Sequence, residues 1–235
     1  MKTLMKITLL VSLLVIGLGT TYATTTDELM ITSGGLTATI TDNGACSGTG
    51  CGSLSGDING TLGTTTVTGS LGGWSISITS GTSNSPSLVP LGLDITSLTA
   101  TCSGVCGGPL DIQYSDVGFS PAYPAYSTGY STTMAGVGST SESAYFSNTN
   151  IAFAETTLIN TVGPFTATDH GTLSGGFGSA APFSLTLDQV FTAGNGPVSF
   201  SSDGNITGVP EPGTVMLFGT VLLFCASKLR RRRAQ

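Results

Sequence analysis

Apolar and polar residues alternate along most of this chain with a period of two. Leu36, Ala38 and Ile40 are interleaved with Thr37, Thr39 and Thr41, and Trp74, Ile76 and Ile78 with Ser75, Ser77 and Thr79. The same spacing recurs in Leu91-Leu93-Ile95, Leu110-Ile112-Tyr114, Ile151-Phe153, Phe183-Leu185-Leu187 and Val198-Phe200. Successive side chains of a strand point to opposite faces, so each run predicts a strand with one buried and one wet face. Gly81-Thr82-Ser83-Asn84-Ser85-Pro86 and Gly194-Asn195-Gly196-Pro197 carry the residue types of turns. No stretch keeps apolar spacing at 3.6 over three turns, so the body is expected to be all-β. About ten short antiparallel strands at this spacing predict a β-sandwich or jelly roll. An elongated Gly/Thr-rich solenoid ranks second, for want of a fixed repeat period. Disorder ranks third, because the apolar content is too high and too regularly placed.

The two ends read differently. Lys2 and Lys6 precede an apolar run from Ile7 to Leu18, and Thr21-Tyr22-Ala23 places small residues at the −3 and −1 positions. This is the layout of a secretory signal peptide over residues 1–23, with cleavage between Ala23 and Thr24. The apolar run is short for a membrane span of ~20 residues, which favours removal over anchoring. At the other end an apolar run from Thr214 to Ser227 leads into Lys228 and Arg230, Arg231, Arg232 and Arg233. As a helix it covers about 21 Å at 1.5 Å per residue. Gly213, Leu229 and a snorkelling Lys228 extend it towards a bilayer core of ~30 Å. One C-terminal transmembrane helix is therefore expected, with the Arg cluster as a cytoplasmic stop. Residues 24–208 then form an extracellular β-domain.

The residues that open this last segment, Val209-Pro210-Glu211-Pro212, together with the apolar helix and the Arg run, resemble the PEP-CTERM sorting signal of exopolysaccharide-producing Gram-negative bacteria, also known as the ice-binding protein C-terminal domain. The resemblance is confined to residues 209–235. It implies export through the secretion translocon, transient anchoring in the inner membrane, and processing by an exosortase-like enzyme that recognises Pro210-Glu211-Pro212. Delivery to the cell surface or extracellular matrix follows, much as a GPI signal is exchanged on its protein. Cys225 within the helix departs mildly from the pattern. The signal accompanies unrelated bodies, so it implies a destination and no activity.

Charge narrows the body's chemistry. All seven Lys and Arg lie at the ends, and none stands between Lys6 and Lys228, against twelve carboxylates from Asp27 to Asp203. The formal net charge of −6 thus covers a body of −12. Without cations the body has nothing to offer a phosphate backbone, which excludes nucleic acid as a partner.

Four cysteines fall in two similar clusters, Cys46-Ser47-Gly48-Thr49-Gly50-Cys51 and Cys102-Ser103-Gly104-Val105-Cys106. Each reads as a hairpin tip closed by a local disulfide, although four cysteines allow three connectivities. Zinc is the rival reading, but the spacings miss C-x2-C.

Catalytic motifs are sparse. His170 is the only histidine, its neighbour Asp169 would point to the opposite side of a strand, and the adjoining Gly171 suggests a turn. A glycosidase needs only two carboxylates at a set separation, and nothing marks out a pair. No catalytic residue is assigned and the protein is expected not to be an enzyme.

Binding chemistry is the better expectation. Residues 119–146 gather Phe119, Tyr123, Tyr126, Tyr130, Tyr145 and Phe146 among Pro, Ser and Gly. Tyr123, Tyr126 and Tyr130 are candidates for stacking on sugar rings, against the alternative that the rings cap the core. No cofactor is required. Ca2+ is the one candidate, at Asp42-Asn43, Asp57-x-Asn59 and Asp203-x-Asn205, which otherwise read as Asx turns. Thr37-x-Thr39-x-Thr41 resembles part of an ice-binding Thr array, but one strand is not an array. Two classes stand: a non-catalytic surface or matrix component associated with exopolysaccharide and biofilm, and a secreted carbohydrate-binding or carbohydrate-active protein using Tyr-rich loops. One consequence is independent of fold. Trypsin should cut nowhere between Lys6 and Lys228 even in denaturant, so mass spectrometry of a digest should return the whole body as one fragment.

Overall fold

The computed structural model describes residues 27–85, 92–120, 125–176, 182–209, 219–222 and 224. Eleven strands follow one another: β1 (Glu28–Ser33), β2 (Leu36–Thr41), β3 (Cys46–Ser47), β4 (Thr64–Leu71), β5 (Trp74–Ser83), β6 (Leu93–Cys102), β7 (Leu110–Phe119), β8 (Ala125–Ser147), β9 (Thr157–Phe165), β10 (Asp169–Gly176) and β11 (Phe183–Val209). All belong to one antiparallel sheet whose main path runs β3-β2-β1-β7-β11-β6-β5-β4, with β8 on β11 and both β9 and β10 on β8.

β8 and β11 organise this sheet. They are 23 and 27 residues long and pair through 22 registered positions, from Ser184↔Ser147 to Val209↔Ala125. Their register breaks once, between Ala193 and Val198 of β11, opposite Gly138 and Gly136 of β8. On one side of the break, Phe183–Phe191 of β11 pair with β7, while Thr140–Phe146 of β8 pair with β9. On the other, Val198–Ile206 of β11 pair with β6, and Ala125–Thr132 of β8 pair with β10. The shared ribbon thus carries two half-sheets, β3-β2-β1-β7-β11-β8-β9 and β4-β5-β6-β11-β8-β10.

The half-sheets close on each other over an apolar core. Phe191 and Phe200, from opposite arms of β11, lie 5.1 Å apart, and Tyr126 meets Phe183 edge-on at 6.4 Å. Trp74 is fully buried and its indole N–H donates to the Gly108 carbonyl at 3.0 Å. Polar ties reinforce the closure, those of Thr65 and Asn160 crossing the gap and that of Tyr114 lying within the first half-sheet. Tyr114 and Thr65 hydroxyls donate to Asp27 Oδ2 at 2.6 and 2.8 Å, and Asn160 Nδ2 donates to Thr128 Oγ1 at 2.6 Å. The alternation put the expected apolar residues inside: Ala38, Ile40, Ile76, Ile78, Leu93, Ile95, Leu110, Ile112, Leu185, Leu187, Val198 and Phe200 are buried.

Several local expectations are corrected. Two of the strands are long, not short. Gly81–Ser83 continue β5 instead of turning, and Gly194–Pro197 form the register break inside β11. Ile151 and Phe153 lie in a turn, where Asn150 and Phe153 take φ of 53° and 58°, so that pair makes no strand. Leu36 is exposed at the start of β2. Both disulfides form as local pairs, Cys46–Cys51 and Cys102–Cys106. The second closes no hairpin, because β6 and β7 flank β11 on opposite sides and residues 103–109 cross over between them. Among the described residues no helix is long and apolar enough to cross a membrane. The signal peptide (residues 1–23, with Ala23 and Thr24), Pro210-Glu211-Pro212, Arg230–Arg233 and most of the apolar C-terminal run lie outside the described residues.

Gly136 marks the mechanical limit of the fold. It holds φ at +102°, and a Cβ there would sit 2.2 Å from the Pro197 carbonyl oxygen and 2.9 Å from Val198 Cα. Both are backbone atoms of the partner strand and cannot step aside. Gly136→Ala is expected to cost about 2 kcal/mol or more. Gly52→Ala, at ordinary φ facing open space, should stay within about 0.5 kcal/mol. Urea unfolding of both variants checks the contrast.

Candidate binding surfaces

The outer face of the second half-sheet is a field of hydroxyls. Register alone builds it: Thr68 of β4, Ser77 of β5, Thr99 of β6, Ser201 of β11 and Thr133 of β8 stand side by side in one row across five strands. A second row runs Ser70, Ser75, Thr101 and Ser199. Thr68, Ser70, Ser75, Thr99, Ser201 and Thr133 are all exposed. Adjacent strands lie ~4.8 Å apart and same-face residues ~6.8 Å apart along a strand, so the hydroxyls form a two-dimensional grid that follows the twist of the sheet. The second row ends in a cleft of about 420 Å³ between the Cys46–Cys51 loop and the β4–β5 turn, lined by Thr49, Gly52, Ser53, Ser70 and Ser75 with Leu36 at its side. No charged side chain lines it.

The outer face of the first half-sheet is acidic instead. Gln113 of β7, Asp188 of β11 and Ser143 of β8 share one row, and Asp111 pairs with Val190 one step along. The segment after β8 folds over this face: Glu155 Oε1 accepts from Gln113 Nε2 at 2.7 Å, and the Phe153 N–H donates to Ser115 Oγ at 3.0 Å. Asp111 and Asp188 are hydrogen-bonded to each other. Burial pushes Asp188 up to about 8, helped by Asp111, Glu155 and Glu142. Asp111 is also raised by burial, so the pair holds one proton at neutral pH. Tyr145 borders the pair, and burial raises its hydroxyl as well.

These surfaces differ from the sites expected from sequence. Tyr126 is fully buried in the core, as are Phe119 and Phe146, so Tyr126 cannot reach a glycan and is withdrawn as a contact. The period-two pattern of β8 turns it inward. Tyr130 is half-buried and stacks on Phe165 at 5.3 Å with rings 10° from parallel. Tyr123 lies outside the described residues. His170 lies in β10, not in a turn, and is exposed; the Asp169 carboxylate accepts from its backbone N–H at 2.8 Å.

The oxygens proposed for Ca2+ are engaged by backbone N–H groups. Asp57 accepts from Asn43, Asn59 and Thr66, Asp42 from Gly63, and Asn205 from Gly129 at 3.3 Å. Asp203 accepts from the Ser97 N–H. Among the described residues no three of His, Cys, Asp and Glu converge on a metal position. The hydroxyl grid and the Asp111–Asp188 pair were missed because each is assembled from strands far apart in the chain. Alternation assigns a residue to a face but not to its neighbour.

The aspartate pair has a testable pH signature. A carboxyl whose folded pKa is raised takes up a proton on folding, so its contribution falls as pH rises from the ordinary carboxylate range to about 8. Thermal melts should show stability declining over that window. In Asp188→Asn the decline should be visibly shallower, with the largest gain over the parent at the alkaline end.

Residues 208–233 match the family model described as the PEP-CTERM protein-sorting motif. No curated protein matches the chain. Among solved structures, the adhesin domain of Epf from Streptococcus pyogenes aligns at a TM-score of 0.37 and 10% identity, covering 81% of this chain and 64% of that one. TmCBM61 in complex with beta-1,4-galactotriose aligns at 0.32 and 8% identity, over 58% of this chain and 83% of the other. The enzymatically active domain of tailspike protein 4 from bacteriophage CBA120 aligns at 0.34 and 9%, over 58% of this chain, which spans only 19% of the tailspike. Scores this low establish no shared fold. The C-terminal match is of another kind: the chain carries a PEP-CTERM protein-sorting motif, which marks an exported protein handed by an exosortase at the membrane towards the cell surface.

Proposed function

We propose that the body is a non-catalytic surface or matrix component that adheres to hydrated, neutral exopolysaccharide through the hydroxyl grid of its second half-sheet. The observation that supports this most is the five-strand row Thr68, Ser77, Thr99, Ser201 and Thr133, continuous and without a cation. Hydroxyls both donate and accept, so such a row exchanges hydrogen bonds with sugar hydroxyls in many registers. Each bond contributes little net energy, about 1 kcal/mol. Many weak contacts along a polymer give avidity, which suits retention in a matrix. The net negative body disfavours acidic polymers unless metal ions bridge the two. The cleft beside the Cys46–Cys51 loop continues the second row and would seat a sugar residue of the same polymer. Exosortase is the processing partner in this reading, and the biofilm matrix is the destination.

The rival class, a carbohydrate-active protein, would use the Asp111–Asp188 pair. Two carboxyls in mutual contact are closer than the ~5.5 Å separation of retaining glycosidases, which weighs towards binding alone. The test is retention of the purified protein on polysaccharide isolated from the producing cells. Thr99→Glu with Ser201→Glu should weaken retention at least about tenfold. Gly52→Trp, which fills the cleft from a position with open space, should weaken it less. Tyr130→Ala should leave it unchanged. Unaltered retention in the Thr99/Ser201 double variant would overturn the grid reading, and release of reducing sugar that is lost in Asp188→Asn would establish the enzyme class.

A further inference from the structure

A small, half-open crevice is separate from both outer faces. It lies between the half-sheets on the β9/β10 side, lined by Tyr130, Thr132, Thr140, Glu142, Phe165 and Ser202, with Ser131 and Ser141 at its margin. Its free volume of about 10 Å³ corresponds to one water-sized occupant. The stacked rings of Tyr130 and Phe165 form its outer wall.

The chamber is built around a carboxyl. Glu142 is 8% exposed, and its Oε2 accepts from Gln189 Nε2 at 2.6 Å. From the opposite half-sheet Gly204 packs directly over it: a Cβ there would lie 2.5 Å from Glu142 Oε2 and 2.7 Å from Gln189 Nε2. Thr132 is 4% exposed, and its Oγ1 is buried with no hydrogen-bond partner. The ionisable groups acting on Glu142 are acids, Asp203 and Asp94 of the second half-sheet, and Glu142 in turn helps raise Asp188 of β11. No Lys or Arg exists between Lys6 and Lys228 to neutralise it. Burial holds the Glu142 proton up to about 8. Above that range its charge has the Gln189 amide as a donor and no cationic side chain from the body to balance it.

We propose that this chamber binds a single dehydrated monovalent cation of sodium's size, held by the Glu142 carboxylate and the hydroxyl oxygens of Thr132, Thr140 and Ser202. The ligand set is oxygen only, the occupant is one water in size, and one carboxylate balances one positive charge. Hard cations take such oxygen sets, and a buried unpartnered hydroxyl oxygen is satisfied by joining one. Cation and proton then exchange at one carboxylate, so the two compete. The site shares no residue with the hydroxyl grid, and sodium binding is read without any glycan.

The test compares thermal melts and sodium-23 NMR linewidths of the whole protein in about 0.2 M sodium chloride and in tetramethylammonium chloride of equal ionic strength. Tetramethylammonium screens surface charge equally and is too large for the chamber, so the difference reports the site alone. Near pH 9 the parent should melt at least about 3 °C higher in sodium, with a broadened sodium resonance. Near pH 5, with Glu142 protonated, the difference should vanish. Glu142→Gln, which keeps shape and removes the charge, should erase both signals at either pH. Thr132→Val should weaken sodium binding severalfold, and Glu155→Gln, on the outer face, should leave both signals intact. Equal melting of the parent in the two salts at pH 9 would overturn the proposal, leaving water as the occupant. So would a sodium effect that persists in Glu142→Gln.

Discussion

Everything in this fold hangs on the antiparallel pairing of β8 with β11. Each strand is long enough to serve two half-sheets, and the single register break opposite Gly136 lets the ribbon bend without losing its partner. The bend brings Phe191 against Phe200 and sets Glu142 beneath Gly204. Every contact between the half-sheets follows from where that break falls. A bulge of this kind sharpens local twist and re-aims the strand, so a loss of pairing at four residues becomes the corner of a sandwich. Long-range pairing of this sort carries a loop-closure cost that only the assembled core repays.

The second constraint is chemical. A body with twelve carboxylates and no cation cannot balance a buried acid with a salt bridge. It uses three other means. Asp27 receives hydroxyl donors from Tyr114 and Thr65, Asp116 receives the Ser83 hydroxyl and the Val117 backbone N–H, and Asp111 and Asp188 share a proton. Glu142 has one amide donor, from Gln189, and the unpartnered Thr132 hydroxyl lines the same crevice, while Asp27, Asp111 and Asp188 each keep one buried oxygen without a partner. Acids treated this way are neutral or hydrogen-bonded inside and leave the outer hydroxyl grid without competing positive charge. Sorting and surface thereby fit together: the basic residues lie at the two ends of the chain, and the body presents hydroxyls and carboxylates only.

Much of this was legible in the chain as residue types. Period-two alternation identified the β class and the buried faces of most strands, because burial on one face of a pleated sheet imposes that period directly. It failed where tertiary context overrode local signals. Gly81-Thr82-Ser83 continue a strand because β4 and β6 flank them on both sides. Ser184 and Thr186 are buried along with Phe183, Leu185 and Leu187, because the segment after β8 covers the outer face there. Tyr126 looked like a loop ring beside Pro and Ser, yet its place in β8 turned it into core.

The sequence by itself determined the destination, the strand class and the acid-only body, and it placed the cysteines in two local clusters whose pairing the structure then supplied. Each depends on residues close together in the chain or on composition. Only the tertiary structure decided which hydroxyls stand in one row, which two aspartates share a proton, and that Glu142 is shut between two half-sheets with Thr132. Those facts depend on register between strands up to about a hundred residues apart, and register is set by the competition of whole faces for the core. No local pattern encodes which neighbour a strand will choose.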